Sequence, residues 1–132
     1  MGVLSKDDLK AIANRPPKVK LIDVPEFGEG AQVYIRVMSG TDYNAYQKSM
    51  AEIKPGQSSA IPNLADTFAK LAVRVLCDEQ GGRIYADTDV SYVGKLPADG
   101  LQKIFTEGAA FNRLNRGAVS EEIKNSESSQ TN

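Results

Sequence analysis

Hydrophobic residues recur at helical spacing most clearly in the middle of the chain. Between residues 63 and 77 one helical face carries only apolar side chains, namely Leu64, Phe68, Leu71, Ala72, Val75 and Leu76. Asp66, Lys70 and Arg74 form a second stripe, in which an acid one turn before a base stabilises a helix by about 0.2–0.5 kcal/mol. We predict a helix over 63–77, on which the rest of the fold packs.

Strict alternation of apolar and polar residues predicts an antiparallel β-hairpin over 18–38. The second strand places Ala31, Val33, Ile35 and Val37 on one face and Gln32, Tyr34, Arg36 and Met38 on the other. The connection at 25–30 has the proline and glycines of a hairpin loop. Because two strands alone are marginally stable, a helix must cover the apolar face.

Start and stop signals place the other helices at 5–13, 41–53, 88–96 and 97–116. Ser5 is a good N-cap, Asp87 to Asp89 can cap the helix at 88–96, and Gly108 allows close helix packing. A charged turn at 78–82 and a short strand at 83–86 follow the central helix. Residues 54–63 are rich in Pro, Gly and Ser and predict a flexible surface loop.

These elements predict an α+β fold, a mostly helical single domain over residues 1–124 with an N-terminal antiparallel β-hairpin. The polar residues 125–132 are expected to be a disordered tail.

Composition narrows the function classes. The 132-residue chain is 41% hydrophobic and 25% charged, and its net charge of −1 argues against a nucleic acid partner. No apolar run is long enough to span a membrane and no signal peptide is visible, so we expect neither a membrane partner nor export, but a cytoplasmic protein.

Candidate chemistry is sparse. The chain has no histidine, so the usual base for a nucleophile is missing, and Cys77 reads as a small buried hydrophobe. The turn at 78–82 matches a calcium loop poorly, because its glycines stand too early and Asp89 occupies the place of the closing glutamate. A helix-turn-helix over 89–103 offers one Gln and one Lys beside an acid. We expect no enzyme, no catalytic residue, no metal and no cofactor.

Partner binding is the remaining class of function. Tyr34 lies on the polar face of its strand, and tyrosine is enriched at interfaces, whereas Tyr43 and Tyr46 share a helical stripe with Met50 and predict core packing. We expect the partner surface to comprise the loop 54–63 and its neighbours, with the candidate residues Tyr34, Arg36, Lys54, Gln57 and Ile61.

Several local motifs resemble the tail assembly chaperones of long-tailed siphophages of the phage lambda and HK97 groups. These motifs span most of residues 18–126 and differ from the family in having two glycines in the central turn. They are Asp23-Val24-Pro25-Glu26-Phe27-Gly28, Val33-Tyr34-Ile35-Arg36-Val37-Met38-Ser39-Gly40, Asp78-Glu79-Gln80-Gly81-Gly82-Arg83-Ile84-Tyr85, Asp87-Thr88-Asp89-Val90, Leu114-Asn115 and Glu121-Glu122-Ile123-Lys124-Asn125-Ser126.

The resemblance implies a chaperone that binds the phage tape measure protein and keeps it soluble before tail-tube polymerisation. It implies residence in the host cell cytoplasm and absence from the mature virion. Further implied partners are the tail tube protein, a frameshifted longer form of the chain itself, and other copies through self-association. The alternatives are a structural minor tail component, such as a tube or completion protein, and a small DNA-binding regulator, which the charge balance disfavours.

Overall fold

The hairpin that the alternating pattern predicted is present. In the computed structural model, which describes residues 2–52, 61–62 and 66–114, strand β1 (Val19–Asp23) pairs antiparallel with β2 (Gln32–Arg36). A single 3-10 turn, Pro25–Phe27, lies in the connection. Ile35 of β2 is fully buried, as its place on the apolar face predicted. The α+β class with an N-terminal hairpin is therefore confirmed.

A third strand joins this sheet where a helix was predicted. Helix α3 spans Thr67–Val75, and Leu76–Cys77 continues it as strand β5, which pairs antiparallel with β2. The predicted helix over 63–77 is therefore too long at its C-terminal end. The free backbone groups of β2 explain the difference, since pairing with β5 satisfies them. The predicted strand over 83–86 is reduced to one bridge, between Arg83 and Cys77.

Helix α2 is also shorter than predicted. It spans Gly40–Ser49 rather than 41–53, and Ser39 caps it by accepting a hydrogen bond from the Asp42 N–H at 3.1 Å. The chain then forms strand β3 (Ala51–Glu52), which pairs antiparallel with β4 (Ile61–Pro62). The prediction that 54–63 is loop throughout is thus wrong at β4, whereas residues 53–60 and 63–65 lie outside the described residues.

Helix α1 (Lys6–Ala13) begins as its sequence predicted. The Ser5 hydroxyl accepts from the Asp8 N–H at 3.1 Å, and the Asp8 carboxylate accepts from the Ser5 N–H at 2.9 Å. This reciprocal pair is a capping box. No residue of α1 is buried, so the helix lies on the surface of the fold.

The C-terminal elements follow a 3-10 turn at Asp87–Asp89. Helix α4 is short, at Val90–Val93, and α5 spans Ala98–Phe111. The predicted helix over 88–96 is therefore split. The predicted helix over 97–116 is too long, because α5 ends at Phe111 and the backbone of Arg113 is left-handed at φ +59°; residues 115 and 116 lie outside the described residues. So does the predicted polar tail, 125–132.

Helix α3 is the centre of the core, as predicted. Every residue from Ala69 to Val75 is buried, and the rings of Phe68 and Phe105 bring α3 against α5 with centroids 5.0 Å apart. A Cβ at Gly108 would stand 3.1 Å from Val75, so the close approach that Gly108 was expected to allow is observed. The helix is thus enclosed by α5 on one side and by the sheet at its C-terminal end.

Candidate functional site

Two of the predicted partner-binding residues lie on strand β2. Tyr34 is half-buried and pairs in register with Leu21 of β1 and Cys77 of β5. Arg36 follows on the same face but is only 6% exposed. The strand therefore brings the two candidates together, yet only Tyr34 has a surface that a partner can reach.

Arg36 is held inside the protein by two strong contacts. Its Nε donates to the Arg74 carbonyl at 2.8 Å, and one terminal nitrogen donates to the Asp42 carboxylate at 2.8 Å. The expectation that Arg36 is available on a polar strand face is therefore wrong. The reason is tertiary: the strand passes the end of α3, whose last carbonyls need donors.

Arginines supply those donors at the junction of α3 and β5. The Val73 carbonyl accepts from two nitrogens of Arg83, at 3.2 and 2.9 Å, and the Arg74 carbonyl accepts from Arg36. The guanidinium of Arg83 also pairs with Asp87 at 2.6 Å. Because positive charge is favourable at a helix C-terminus, this arrangement lets a helix pass directly into a strand without a glycine cap.

Asp42 is the acidic partner of Arg36, and the pKa of its carboxyl is lowered. Burial raises the pKa of its carboxyl, but the hydrogen bond and charge of Arg36 lower it, and hydrogen bonds with Ser39 lower it further. The net effect is a pKa below the ordinary value, so the pair is charged at neutral pH. This ion pair ties α2 to the sheet.

The other three candidates give no site geometry. Lys54 and Gln57 lie outside the described residues, and Ile61 is placed only as a backbone position in β4. The partner surface predicted around the loop 54–63 remains a prediction.

A long groove runs between three elements that are distant in sequence. Its walls are the end of α1, the residues that follow β2 and the C-terminus of α5, and it encloses about 1040 Å³. We call it the basic groove and define it by Ile12, Arg15, Lys18, Met38, Phe111 and Arg113. Its lining combines cationic and apolar side chains, which is a surface suited to a protein partner.

A smaller apolar pocket lies beside the groove. Tyr43, Tyr46, Met50, Phe105 and Leu114 line it, and it encloses about 350 Å³. Both tyrosines are partly buried and pack on the core, as their stripe with Met50 predicted. Its described lining contains no Asp, Glu, His, Cys, Lys or Arg side chain.

Asn112 was missed by the sequence analysis although it builds one wall of the groove. Its side-chain oxygen accepts from the Met38 N–H at 2.6 Å, while its nitrogen donates to the carbonyls of Arg36 at 3.1 Å and Gly108 at 2.9 Å. The one available signal was its place just after the last apolar residue of α5, where Asn is a common terminating residue.

Reactive groups are few in the described part of the chain. Burial raises the pKa of the Cys77 thiol, and Cys77 is 4% exposed, as expected of a small buried hydrophobe. The Asp78 carboxylate accepts from the N–H groups of Gln80 and Gly82, both at 2.9 Å, and so shapes its own turn. Among the described residues, no group of three or more His, Cys, Asp or Glu side chains could hold a metal ion.

Within residues 2–52, 61–62 and 66–114, no helix is both long enough and apolar enough to cross a bilayer.

The hairpin, the short third strand and the covering helices together form a phage tail chaperone-like fold. The solved structure that carries this likeness is that of the bacteriophage HK97 tail assembly chaperone. It aligns with a TM-score of 0.53 and 18% identity, covering 80% of this chain and 98% of that chain. At this identity the likeness establishes the fold alone. No protein-family model matches the chain, and no curated protein matches it.

Proposed function

We propose that this protein is a phage tail assembly chaperone that binds the tape measure protein and keeps it soluble before the tail tube polymerises. The observation that carries the proposal is the shared fold with the HK97 tail assembly chaperone, which extends over 98% of that chain. The motifs that resemble the siphophage family lie in the same elements, since they include the hairpin connection, β2 and the turn after β5.

The surface of the protein fits a binding role. Several large apolar side chains are exposed, among them Leu9, Leu21, Ile84 and Tyr92, and the basic groove combines apolar and charged contacts. A chaperone for a long helical chain needs surfaces that cover apolar stripes and keep the complex charged. The described residues supply both features.

The proposal also covers where the protein acts and which further partners it contacts. The chain would act in the host cell cytoplasm and be absent from the finished virion. It would contact the tail tube protein as well, associate with its own copies, and work beside a frameshifted longer form of itself. No nucleic acid, membrane, cofactor or catalytic step is part of the proposal.

Co-expression with the tape measure protein of the same phage tests the proposal. The soluble fraction of the tape measure protein should rise strongly when this chain is present, and the two should co-purify. The matched control is Leu71→Asp, which places a charge at a fully buried position and should abolish both effects by unfolding the chaperone.

Two results would oppose the proposal. One is a tape measure protein that stays insoluble beside well-folded wild-type chain. The other is recovery of the chain in purified virions at a fixed stoichiometry, which favours the structural tail component.

A further inference from the structure

The basic groove carries more positive charge than its own residues neutralise. Its described lining holds five cations and a single acid, namely Arg15, Lys18, Lys20, Arg36, Arg113 and Asp42. Two cations are paired, Arg36 with Asp42 at 2.8 Å and Lys20 with Glu107 at 3.4 Å. The other three form no ion pair with any residue that the structure describes. Their charge is therefore available to an anionic partner.

The lining of the groove also includes apolar side chains, which we call its floor. Ile12 comes from α1, Val37 and Met38 follow β2, and Ala110 and Phe111 come from the end of α5. Ile12 is 40% exposed. Leu9, one turn earlier on α1, is 54% exposed and extends the apolar stripe beyond the groove. A partner that matches this surface needs an apolar face bordered by acids.

Two backbone donors beside the floor are already used within the protein. The Val37 N–H donates to the Lys18 carbonyl at 2.9 Å, and the Met38 N–H donates to Asn112 at 2.6 Å. Strand β2 is also the central strand of its sheet, between β1 and β5. Recognition at Val37 and Met38 therefore uses side chains, which is how a helix binds in a groove.

Arg113, which lines the groove, has an unusual backbone conformation. Its φ is +59°, in the left-handed region, just after the end of α5. Glycine or asparagine usually occupies that position because other residues are strained there. An arginine at this position has a strained backbone and places an exposed cation on the groove. Such strain is expected where the charge of the side chain serves in binding.

We propose that the basic groove binds an acidic amphipathic α-helix. This inference rests on the proposed function, in which the helix is a segment of the tape measure protein. The apolar face of the helix packs on Ile12, Met38 and Phe111, and its flanking carboxylates pair with Arg15, Lys18 and Arg113.

A nucleic acid is the other anionic ligand to weigh. Nucleic acid binding favours a large cluster of cations, whereas the described lining of the groove offers three cations without an ion pair and the chain has a net charge of −1. The cations of the groove border an apolar floor that phosphates would leave unused. The observations therefore favour the acidic helix.

Fluorescence anisotropy with the full chain tests the inference. The probe is a labelled synthetic amphipathic helix with leucines on one face and glutamates on both flanks. Its comparison peptide has every glutamate replaced by glutamine. We expect the acidic peptide to bind at least about tenfold more tightly than the neutral one, and its affinity to fall with added salt.

Two charge-reversal variants locate the binding site. Arg15→Glu combined with Lys18→Glu should weaken the acidic peptide about tenfold, since two favourable charge contacts become repulsive. The control combines Lys48→Glu with Lys95→Glu, which changes net charge equally at exposed sites outside the groove. The control should bind within about twofold of wild type.

Arg113→Gly separates binding from folding. Glycine relieves the backbone strain, so the thermal midpoint should stay or rise, while affinity for the acidic peptide should fall several-fold. A purely structural role for Arg113 predicts unchanged affinity, and that result would argue against its part in the site.

The remaining outcomes overturn the inference. If the acidic and neutral peptides bind equally well, the cations of the groove do not select an acidic partner. The same conclusion follows if the groove variant binds the acidic peptide as tightly as wild type does. Tighter binding of an RNA or DNA oligomer at the groove would assign it to nucleic acid. Peptide binding that appears only after dilution of a dimer, or after removal of residues 115–132, would assign the groove to a second copy or to the chain's own end.

Failure of the inference and failure of the proposed function give different results. If wild type and the groove variant solubilise the tape measure protein equally, the function stands and the groove assignment is wrong. If wild type binds the acidic peptide but never the tape measure protein, the proposed function is wrong and the groove serves another acidic helix.

Discussion

The side-chain oxygen of Asn112 accepts a hydrogen bond from the backbone N–H of Met38 at 2.6 Å. This contact joins the end of α5 to the residues after β2, which are 74 positions apart in sequence. The same side chain donates to the carbonyls of Arg36 and Gly108. Asn112 thus fixes two walls of the basic groove relative to each other.

Replacing Asn112 should cost considerable stability. Asn112→Leu leaves the N–H of Met38 without its acceptor, and Met38 is only 8% exposed, so we expect a loss of about 1–3 kcal/mol in the free energy of unfolding. Urea denaturation measures it. Asn44→Ala, at an exposed position of α2, is the control and should change stability by less than about 0.5 kcal/mol. Equal effects would show that the Asn112 contacts contribute nothing.

Arg36 is predicted to act in stability rather than in partner contact. Arg36→Met removes a donor to the end of α3 and leaves the Asp42 carboxylate, 24% exposed, without its counter-ion. We expect a loss of about 2–3 kcal/mol, somewhat below the value for a fully buried pair because water still reaches Asp42.

Two further variants isolate the Arg36–Asp42 interaction. Adding Asp42→Asn to Arg36→Met should cost less than the sum of the single changes, because no charge is left unpaired. The control is Arg15→Met, an exposed arginine without an ion pair among the described residues, which should be nearly neutral. A strictly additive double variant would show that the pair does not stabilise the fold.

Lowering the pH should remove the contribution of Asp42 to the free energy of unfolding. Its pKa is lower in the folded protein than in the unfolded chain, so its stabilising effect is complete above the unfolded pKa of about 3.9 and is lost as pH falls through the folded pKa. The stability difference between wild type and Asp42→Asn should therefore be constant near neutral pH and shrink below about pH 4. Urea unfolding measured from neutral to acidic pH tests this, and a pH-independent difference would contradict it.

Cys77 should be protected from thiol reagents in the folded protein. It is buried in β5, and burial raises the pKa of its thiol, so little thiolate is available. Alkylation at mildly alkaline pH should be slower than in denaturant by on the order of a hundredfold or more. In Ser91→Cys, the new thiol at an exposed position of α4 should react rapidly. Rapid native-state labelling of Cys77 would mean that β5 opens readily.

Local sequence patterns were sufficient to predict the elements whose structure is determined by residues close together in the sequence. Alternation in 31–38 predicts the hairpin, and Ser5 with the following acids predicts the start of α1, because strand pairing across a short loop and helix capping are short-range effects. The apolar stripe of α3 likewise predicts the centre of the core.

The structure differs from the sequence-based prediction where contacts between distant segments determine the conformation. Leu76 fits the apolar stripe of a helix and a buried strand equally well, and pairing with β2 selects the strand. The alternating pattern places Arg36 on the polar face of its strand. The side chain is nevertheless buried, because it donates a hydrogen bond to a carbonyl at the end of α3. Lys70 and Arg74 are also buried, although their stripe predicts a second, charged face, and Arg74 donates to the Lys70 carbonyl and pairs with Asp87.

The groove was not predictable from one-dimensional patterns. Its cations, Arg15, Lys18 and Arg113, come from segments that read separately as a helix end, a strand start and a helix terminus. Only the tertiary fold, which places the end of α1, the start of β1 and the end of α5 beside one another, brings them to one surface. The sequence instead favoured the loop 54–63, because loops commonly carry function.

The most direct test of the account is an affinity pull-down of the tagged chain from infected cells before lysis, with mass spectrometry of the captured proteins and of purified virions. The account predicts that the tape measure protein is the most enriched phage protein in the pull-down and that the chain is absent from virions. A chain retained in virions, with no tape measure protein captured from the cells, would contradict the chaperone function.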